Sequence, residues 1–137
     1  MRRKFWFPAL LLLSLTCAAQ SASNVSANKT VGQTATLSWS APTTYTTGAP
    51  ITAGTAITYS VYEAQQASGT TCGTPNFGAP AVTGVTSTDY VTPPYTTVGV
   101  YCYDVTDTVA GTESAPSNIV SAIVSNPVPK GVSVTIQ

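Results

Sequence analysis

The side chains that could perform acid–base or nucleophilic chemistry are few in this 137-residue sequence, which has five acidic residues, five basic residues and no His. The acidic residues show no spacing that would pair a protonated with an ionised carboxyl, as glycoside hydrolysis requires. A Ser or Thr nucleophile would lack its usual base, which is His. The sequence therefore predicts no catalytic residues, no cofactor and no enzyme activity.

Three of the acidic residues, Asp104, Asp107 and Glu113, are close together in the sequence. One interpretation is a calcium site at the end of a domain, with backbone carbonyls completing the coordination shell. The dense spacing of Asp and Asn that such a site requires is missing, however. We therefore expect these side chains to face solvent on a strand and a turn, and we predict no metal site.

The first 22 residues, MRRKFWFPALLLLSLTCAAQSA, have the layout of a secretory signal peptide: basic residues, an apolar run and then small residues. The apolar run is shorter than the roughly 20 residues of a membrane-spanning helix. We expect cleavage after Ala19, with Ala22 as the competing site. An uncleaved anchor and a lipoprotein acylated at Cys17 are the alternatives, although Thr16 is a poor residue before such a Cys. The predicted location is secreted, periplasmic or at the cell surface.

Cys72 and Cys102 are the two cysteines that remain after removal of the signal peptide. An even number in an exported chain favours a disulfide, and unpaired thiols are the alternative. Closing a loop of about 30 residues would stabilise the fold by roughly 3–4 kcal/mol. Two Cys without His do not supply the four ligands of a zinc site.

The charge balance of the exported part argues against two classes of partner. Lys29 and Lys130 are its basic residues against five acidic ones, a net charge of −3. So few positive charges cannot neutralise many phosphates, so we expect no nucleic-acid partner. Binding to an anionic membrane surface is disfavoured for the same reason, so we predict no membrane partner after cleavage.

Several short runs alternate apolar and polar residues with a period of two, which is typical of β-strands with one buried face. No helical period follows the signal peptide, and turns rich in Gly, Pro and Asn separate the runs. The sequence thus predicts an all-β, seven-stranded antiparallel β-sandwich preceded by a signal-peptide helix. The predicted strands cover 33–40, 56–64, 81–86, 87–92, 98–109 and 117–126. The residues expected to form the core are Trp39, Tyr59, Tyr90, Tyr101, Tyr103 and Val105.

The predicted organisation has four parts: a signal peptide at 1–19, a polar lead-in with a short edge strand at 20–32, the sandwich at 33–124, and a Pro-containing tail with strand character at 125–137. Two long loops, 42–55 and 65–80, interrupt the sandwich, and the second has room for a short strand near 70–72. Cys102 is predicted on the outward face of its strand. A bridge to Cys72 would require the second loop to fold over that face.

The segments ATLSWSAP, ITYSVYEA, TSTDYVT and YCYDVTDTVAGTESAPSN resemble a fibronectin type III domain over about residues 30–124. That family has a Trp on the second strand, Tyr residues on the third and fifth, a Tyr-x-aromatic-x-Val run on the sixth, and then a Ser-x-Pro-Ser motif. The positions that match are Trp39, Tyr59, Tyr90, Tyr101, Val105 and 114–118. The resemblance implies a sandwich fold and an accessory, spacer or protein-binding role.

The sequence departs from the family at several positions. Tyr95 and Thr97 stand where a Leu and a Pro usually precede the sixth strand, and Asp107 stands where an Ala is typical. The integrin-binding Arg-Gly-Asp tripeptide is absent, so the resemblance does not imply that kind of adhesion.

Tyr45, Tyr62 and Tyr95 are predicted to lie outward or in loops. Exposed Tyr beside small polar residues is the composition of adaptable binding loops and of sugar-stacking platforms, and ordinary surface Tyr is the alternative. We therefore expect an exported, non-catalytic module that binds a protein or a polysaccharide, or acts as a spacer. The alternative is an assembly subunit whose C-terminal strand pairs with a partner.

Overall fold

The computed structural model of the chain describes residues 26–129 and 131. The predicted signal peptide, Lys130 and the strand-like run 132–136 of the tail lie outside the described residues. No helix within the described part is long and apolar enough to cross a membrane. Its eight strands are β1 (Ser26–Thr30), β2 (Thr36–Ser38), β3 (Ile57–Gln66), β4 (Val82–Val85), β5 (Asp89–Val91), β6 (Gly99–Val109), β7 (Thr112–Glu113) and β8 (Val120–Ser125).

The strands form two sheets that face each other. The large sheet has the order β1-β8-β6-β3-β4, and the two-residue β7 extends β6 as a hairpin. The small sheet consists of β2 and β5. β1 runs parallel to β8, and the other pairs are antiparallel. The longest ladder joins β3 to β6, from Ile57 opposite Val109 to Gln66 opposite Val100, so these two strands form the centre of the fold.

The predicted core residues meet between the two sheets. Tyr103 is 1 % exposed, and Tyr59, Tyr101 and Val105 are also buried. Trp39 and Tyr90, from the loop after β2 and from β5, are partly buried and pack against this cluster. The rings of Trp39 and Tyr59 lie edge to face, with their centroids 5.2 Å apart. The period of two thus corresponds to one shared interior, as the sequence predicts.

The limits of the sandwich differ in detail from the sequence prediction. The short edge strand expected in the polar lead-in is present as β1, so the sandwich begins before residue 33, and β8 ends at Ser125, one residue beyond the expected limit. Residues 70–72 form no strand, because this part of the loop is built from bends between Gly69 and Gly73, both of which have positive φ. There are eight strands in the described residues rather than seven, because the hairpin after β6 returns for two residues.

The start of β6 is fixed by a tyrosine corner, a feature of immunoglobulin-like sandwiches. The Tyr101 hydroxyl donates to the backbone carbonyl of Thr97 at 3.2 Å, and it also lies 2.9 Å from the Thr97 hydroxyl. Gly99, between them, has φ +146°, and a Cβ there would lie 2.6 Å from the Gln66 carbonyl oxygen. Only glycine therefore allows β6 to approach the end of β3 this closely.

Candidate binding groove on the outer face of the large sheet

The predicted disulfide between Cys72 and Cys102 is confirmed, with the Cα atoms 5.7 Å apart. It holds the 67–80 loop against the outward face of β6, where Cys102 is completely buried. Val100, Phe77 and Ile119 join the two cysteines in a second, smaller apolar cluster. The Gln66 amide secures the loop further by donating to the carbonyl of Cys72 at 3.0 Å.

This loop makes β6 a strand that is buried on both faces. Every residue from Val100 to Asp107 is buried, including the outward-facing Cys102, Asp104 and Thr106. An alternating sequence predicts burial of one face only. The second face is covered because the disulfide brings in a segment that is distant along the chain.

A groove of about 460 Å³ lies beside the covered region, between the loop and the β6–β7 hairpin. Both apolar and oxygen-bearing side chains line it, and no basic side chain lines it within the described part of the chain. The lining side chains include Tyr62, Phe77, Asp104, Thr106, Glu113 and Pro116. Tyr62 and Asp104 face each other directly across the β3–β6 ladder, so they project from the same face of the sheet.

Glu113 forms the rim of the groove and is held by two hydroxyl groups. Its Oε1 atom accepts hydrogen bonds from Thr106 at 2.5 Å and from Tyr62 at 2.9 Å. The bonds from Thr106 and Tyr62 lower the pKa of Glu113, because they stabilise the ionised carboxylate. The same hydrogen bond to Glu113 raises the pKa of Tyr62, whose proton it holds.

Asp104 lies deeper and is 6 % exposed. Its Oδ1 atom is buried and accepts no hydrogen bond from the residues the structure describes. Burial raises the pKa of Asp104 to about 6, because desolvation disfavours the charged form. The prediction that Asp104 faces solvent is wrong, because the 67–80 loop covers its side of the sheet.

Asp107 is also buried, contrary to prediction, but on the opposite face of β6. It is 1 % exposed, it lies opposite Tyr59, and neither carboxylate oxygen accepts a hydrogen bond from the described residues. Its backbone is paired with Ser114: Asp107 N–H donates to the Ser114 hydroxyl at 3.0 Å, and Ser114 N–H donates to the Asp107 carbonyl at 2.8 Å. Glu113 is exposed, as predicted. Residues 26–129 and 131 contain no group of three or more metal-binding side chains.

The three tyrosines proposed for binding loops have different positions. Tyr62 is half-buried in the groove, although it comes from a strand. Tyr45 is half-buried in a small hairpin-like loop, where its N–H donates to the carbonyl of Ala49. Of Tyr45 and Tyr62, Tyr62 is therefore the one whose side chain lies with the polar side chains of the groove.

The prediction that Tyr95 lies outward or in an exposed loop is wrong, because Tyr95 is 3 % exposed and belongs to the core. Two backbone hydrogen bonds turn it inward: Tyr95 N–H donates to Gln33, and Gly32 N–H donates to Tyr95. Its ring lies 4.6 Å from that of Tyr101, and its hydroxyl accepts a bond from Tyr103 at 3.4 Å. An aromatic side chain thus fills the place where the family that the sequence resembles has an aliphatic one.

A second cavity, of about 320 Å³, lies between the sheets beside β2. Core side chains line about half of it, among them Leu37, Trp39, Tyr103 and Val105, and Asp104 lines this cavity as well as the outer groove. The Trp39 indole nitrogen is buried and has no hydrogen-bond partner among the described residues. This cavity belongs to the packing between the layers and brings no charged side-chain pair together, so the outer groove is the better candidate site.

Sequence reasoning identified Tyr62, Asp104 and Glu113 but did not place them together. Phe77, Thr106 and Pro116 were missed. The signal for Thr106 was its position two residues after Asp104 on the same strand, which puts both on one face. No local pattern marks Phe77, because its position depends on the disulfide.

No protein-family model matches the sequence, and no curated protein matches it. Three solved structures are similar in fold. A Fn3-like protein from Clostridium thermocellum has 21% sequence identity and a TM-score of 0.47, and the match covers 82% of this chain and 91% of that one. The FN1–FN3 domains of chicken CNTN1 have 15% identity and a TM-score of 0.49, and the match covers 85% of this chain and 36% of that one. The PKD domain of human KIAA0319 has 15% identity and a TM-score of 0.45, and the match covers 95% of this chain and 100% of that one. The two facing sheets, the shared core and the Tyr101 corner are those of an immunoglobulin-like β-sandwich.

Proposed function

We propose that this protein is an exported, non-catalytic module that binds a protein or carbohydrate partner through the outer groove. The observation that carries the proposal is the Asp104 carboxyl group, which lines the solvent-accessible groove, is 6 % exposed, and has a buried Oδ1 atom that accepts no hydrogen bond from the described residues. A desolvated carboxylate with too few hydrogen bonds costs free energy, and a ligand that donates to this carboxylate recovers part of that cost. The disulfide supports export, because such bonds persist in oxidising compartments.

Filling the groove tests this proposal. Gly78 lines the groove, has no atom within 4 Å of an added Cβ and has no positive φ, so Gly78→Trp places an indole there without backbone strain. Gly131→Trp is the matched control, because Gly131 is equally open and does not line the groove. A panel of extracellular proteins and polysaccharides is screened with the wild type. A ligand that Gly78→Trp loses and Gly131→Trp keeps supports the groove. A ligand that both variants keep contradicts it, and no ligand at all favours a spacer.

The edge of the large sheet supports a second candidate, an assembly subunit. β1 is the last strand in the sheet order, so its outer edge is not paired within the described chain. Thr30 of β1 lies opposite Ser125, where β8 ends and the tail begins. A strand from a neighbouring molecule could add to this edge. Size-exclusion chromatography of 20–137 against 20–126 tests it: a larger species only for the longer chain supports assembly, and two identical monomers contradict it.

A further inference from the structure

The groove is lined by acidic side chains, and no basic side chain of the described residues neutralises their charge. Asp104 and Glu113 contribute two carboxyl groups, and no Lys or Arg of the described residues lines it. The exported part of the chain, with its two Lys against five acidic residues, has little charge to bring there. A ligand that complements the groove is therefore cationic.

Asp104 and Glu113 act as two separate acceptors, because neither carboxylate has both of its oxygen atoms accessible and free of hydrogen bonds. Oδ1 of Asp104 is buried without a donor, whereas Oε1 of Glu113 already accepts from Thr106 and Tyr62. A planar guanidinium binds best to both oxygens of one carboxylate. An ammonium group has three independently directed donors, which suits two carboxylates, Asp104 and Glu113, that line the groove as separate acceptors.

The walls of the groove suit the rest of a lysine side chain. Tyr62, Phe77 and Pro116 supply apolar surface on which a chain of methylene groups can lie. Aromatic rings close to a cation add an attraction of about 0.5–1 kcal/mol at exposed sites. A neutral sugar could also stack on these rings and donate hydroxyl hydrogen bonds to Asp104, but it would not neutralise the charge of the two carboxylates.

We propose that the groove binds the ammonium group of a lysine side chain presented by a partner protein. This inference rests on the proposed binding function of the groove and specifies its ligand. Asp104 makes the charge-assisted hydrogen bond at the base of the groove, Glu113 makes a second contact at its rim, and Tyr62 and Phe77 pack against the stem.

The test uses Nα-acetyl-lysine amide as the probe, added to the isotope-labelled protein while the backbone amide signals are followed by NMR. A single contact of this kind implies a Kd of roughly 1 mM or weaker, so the probe is taken to about 50 mM. We expect saturable shifts at Tyr62, Thr106 and Glu113. Nα-acetyl-norleucine amide, which lacks the charge, is expected to give none.

Two variants and one control locate the contact. Asp104→Asn is expected to weaken binding by at least about tenfold, and Glu113→Gln, at an exposed and readily tolerated position, by about threefold. Asp89→Asn removes the same charge from an exposed position on β5 of the small sheet, and it is expected to bind as the wild type does.

Three results would overturn the inference: no saturable shift with the lysine probe, equal binding by Asp104→Asn, or loss of binding in the Asp89→Asn control. Cellobiose is titrated in parallel to separate this failure from failure of the proposed function. Groove shifts with the sugar alone would reject the lysine ligand and keep the groove as a carbohydrate site. Groove shifts with neither probe, together with a screen in which Gly78→Trp loses nothing, would reject both.

Discussion

Cys72 and Cys102 are joined by a disulfide whose Cα atoms are 5.7 Å apart, and this link holds the 67–80 loop on the outer face of β6. Two features follow from that one contact. Val100 and Cys102 become a second apolar cluster with Phe77, and Asp104 becomes a buried carboxylate beside an open groove. The candidate site therefore depends on the loop rather than on the sheet alone.

Removing the disulfide is expected to destabilise the protein and to open the groove. The double variant Cys72→Ala/Cys102→Ala should lose about 3–4 kcal/mol of unfolding free energy, because the bond closes a loop of 30 residues in the unfolded chain. Urea unfolding followed by Trp fluorescence measures the change. Because a packed loop protects β6, amide exchange at position 102 and at Asp104 should also accelerate. An unchanged unfolding midpoint would contradict this role of the bond.

The hydrogen bond of the tyrosine corner, from Tyr101 to Thr97, should contribute to the free energy of unfolding. Tyr101→Phe removes only the hydroxyl that donates to Thr97 and should cost about 1 kcal/mol of stability. Tyr45→Phe is the comparison, because the Tyr45 side chain lies outside the core cluster, and its expected effect is close to zero. Equal unfolding free energies for the two variants would show that the corner is not a stabilising contact.

Gly99 should tolerate no side chain. Gly99→Ala places a Cβ 2.6 Å from the Gln66 carbonyl oxygen at φ +146°, so the end of the β3–β6 ladder must shift. The expected loss is at least about 2 kcal/mol. Gly78→Ala, where an added Cβ meets nothing within 4 Å, should be within about 0.5 kcal/mol of the wild type. Thermal unfolding of both proteins distinguishes backbone strain from a general effect of replacing glycine.

Asp107 should be replaceable with a gain in stability. Both of its carboxylate oxygens are buried without a hydrogen bond from the described residues, so Asp107→Ala removes an unsatisfied polar group at a position where the resembling family has Ala. We expect a stabilisation of about 1–3 kcal/mol in urea unfolding at neutral pH. A destabilisation of similar size would mean that the carboxylate has a favourable interaction in the folded protein.

The sequence predicts the inner face of this protein better than the outer face. Tyr59, Tyr101 and Tyr103 stand at every second position of their strands. This alternation depends only on neighbouring residues, and the structure buries all three side chains on the inner face. The two Cys were predicted to pair because the chain is expected to be exported. The burial of Asp104 could not be predicted, because it depends on the path of a distant loop. Tyr95 directly follows two Pro residues, a pattern that predicts an exposed loop. The prediction is wrong because backbone hydrogen bonds between distant segments turn Tyr95 inward.

The stability of the protein should depend on pH through Asp104. Its folded pKa of about 6 lies above the ordinary value of 3.8, so the folded protein keeps a proton that the unfolded chain releases between these values. The unfolding free energy should therefore fall as the pH rises from about 4 to 6, by an amount on the order of 2–3 kcal/mol relative to Asp104→Asn. The comparison with this variant is needed because Glu113 acts in the opposite direction: its pKa is lowered, so its contribution is lost as the pH falls.

The titration of the Asp104 carboxyl group, followed by NMR through its carboxyl carbon, tests the central claim most directly. Tyr62 and Glu113 are the titratable groups that share its groove, and titration of Glu113→Gln in parallel separates their effects. A carboxylate buried beneath the disulfide-held loop should titrate with a midpoint near 6, and the midpoint should move back toward the ordinary value in Cys72→Ala/Cys102→Ala. A midpoint at or below 3.8 in the intact protein would show that Asp104 is solvated, which would contradict its burial beneath the loop.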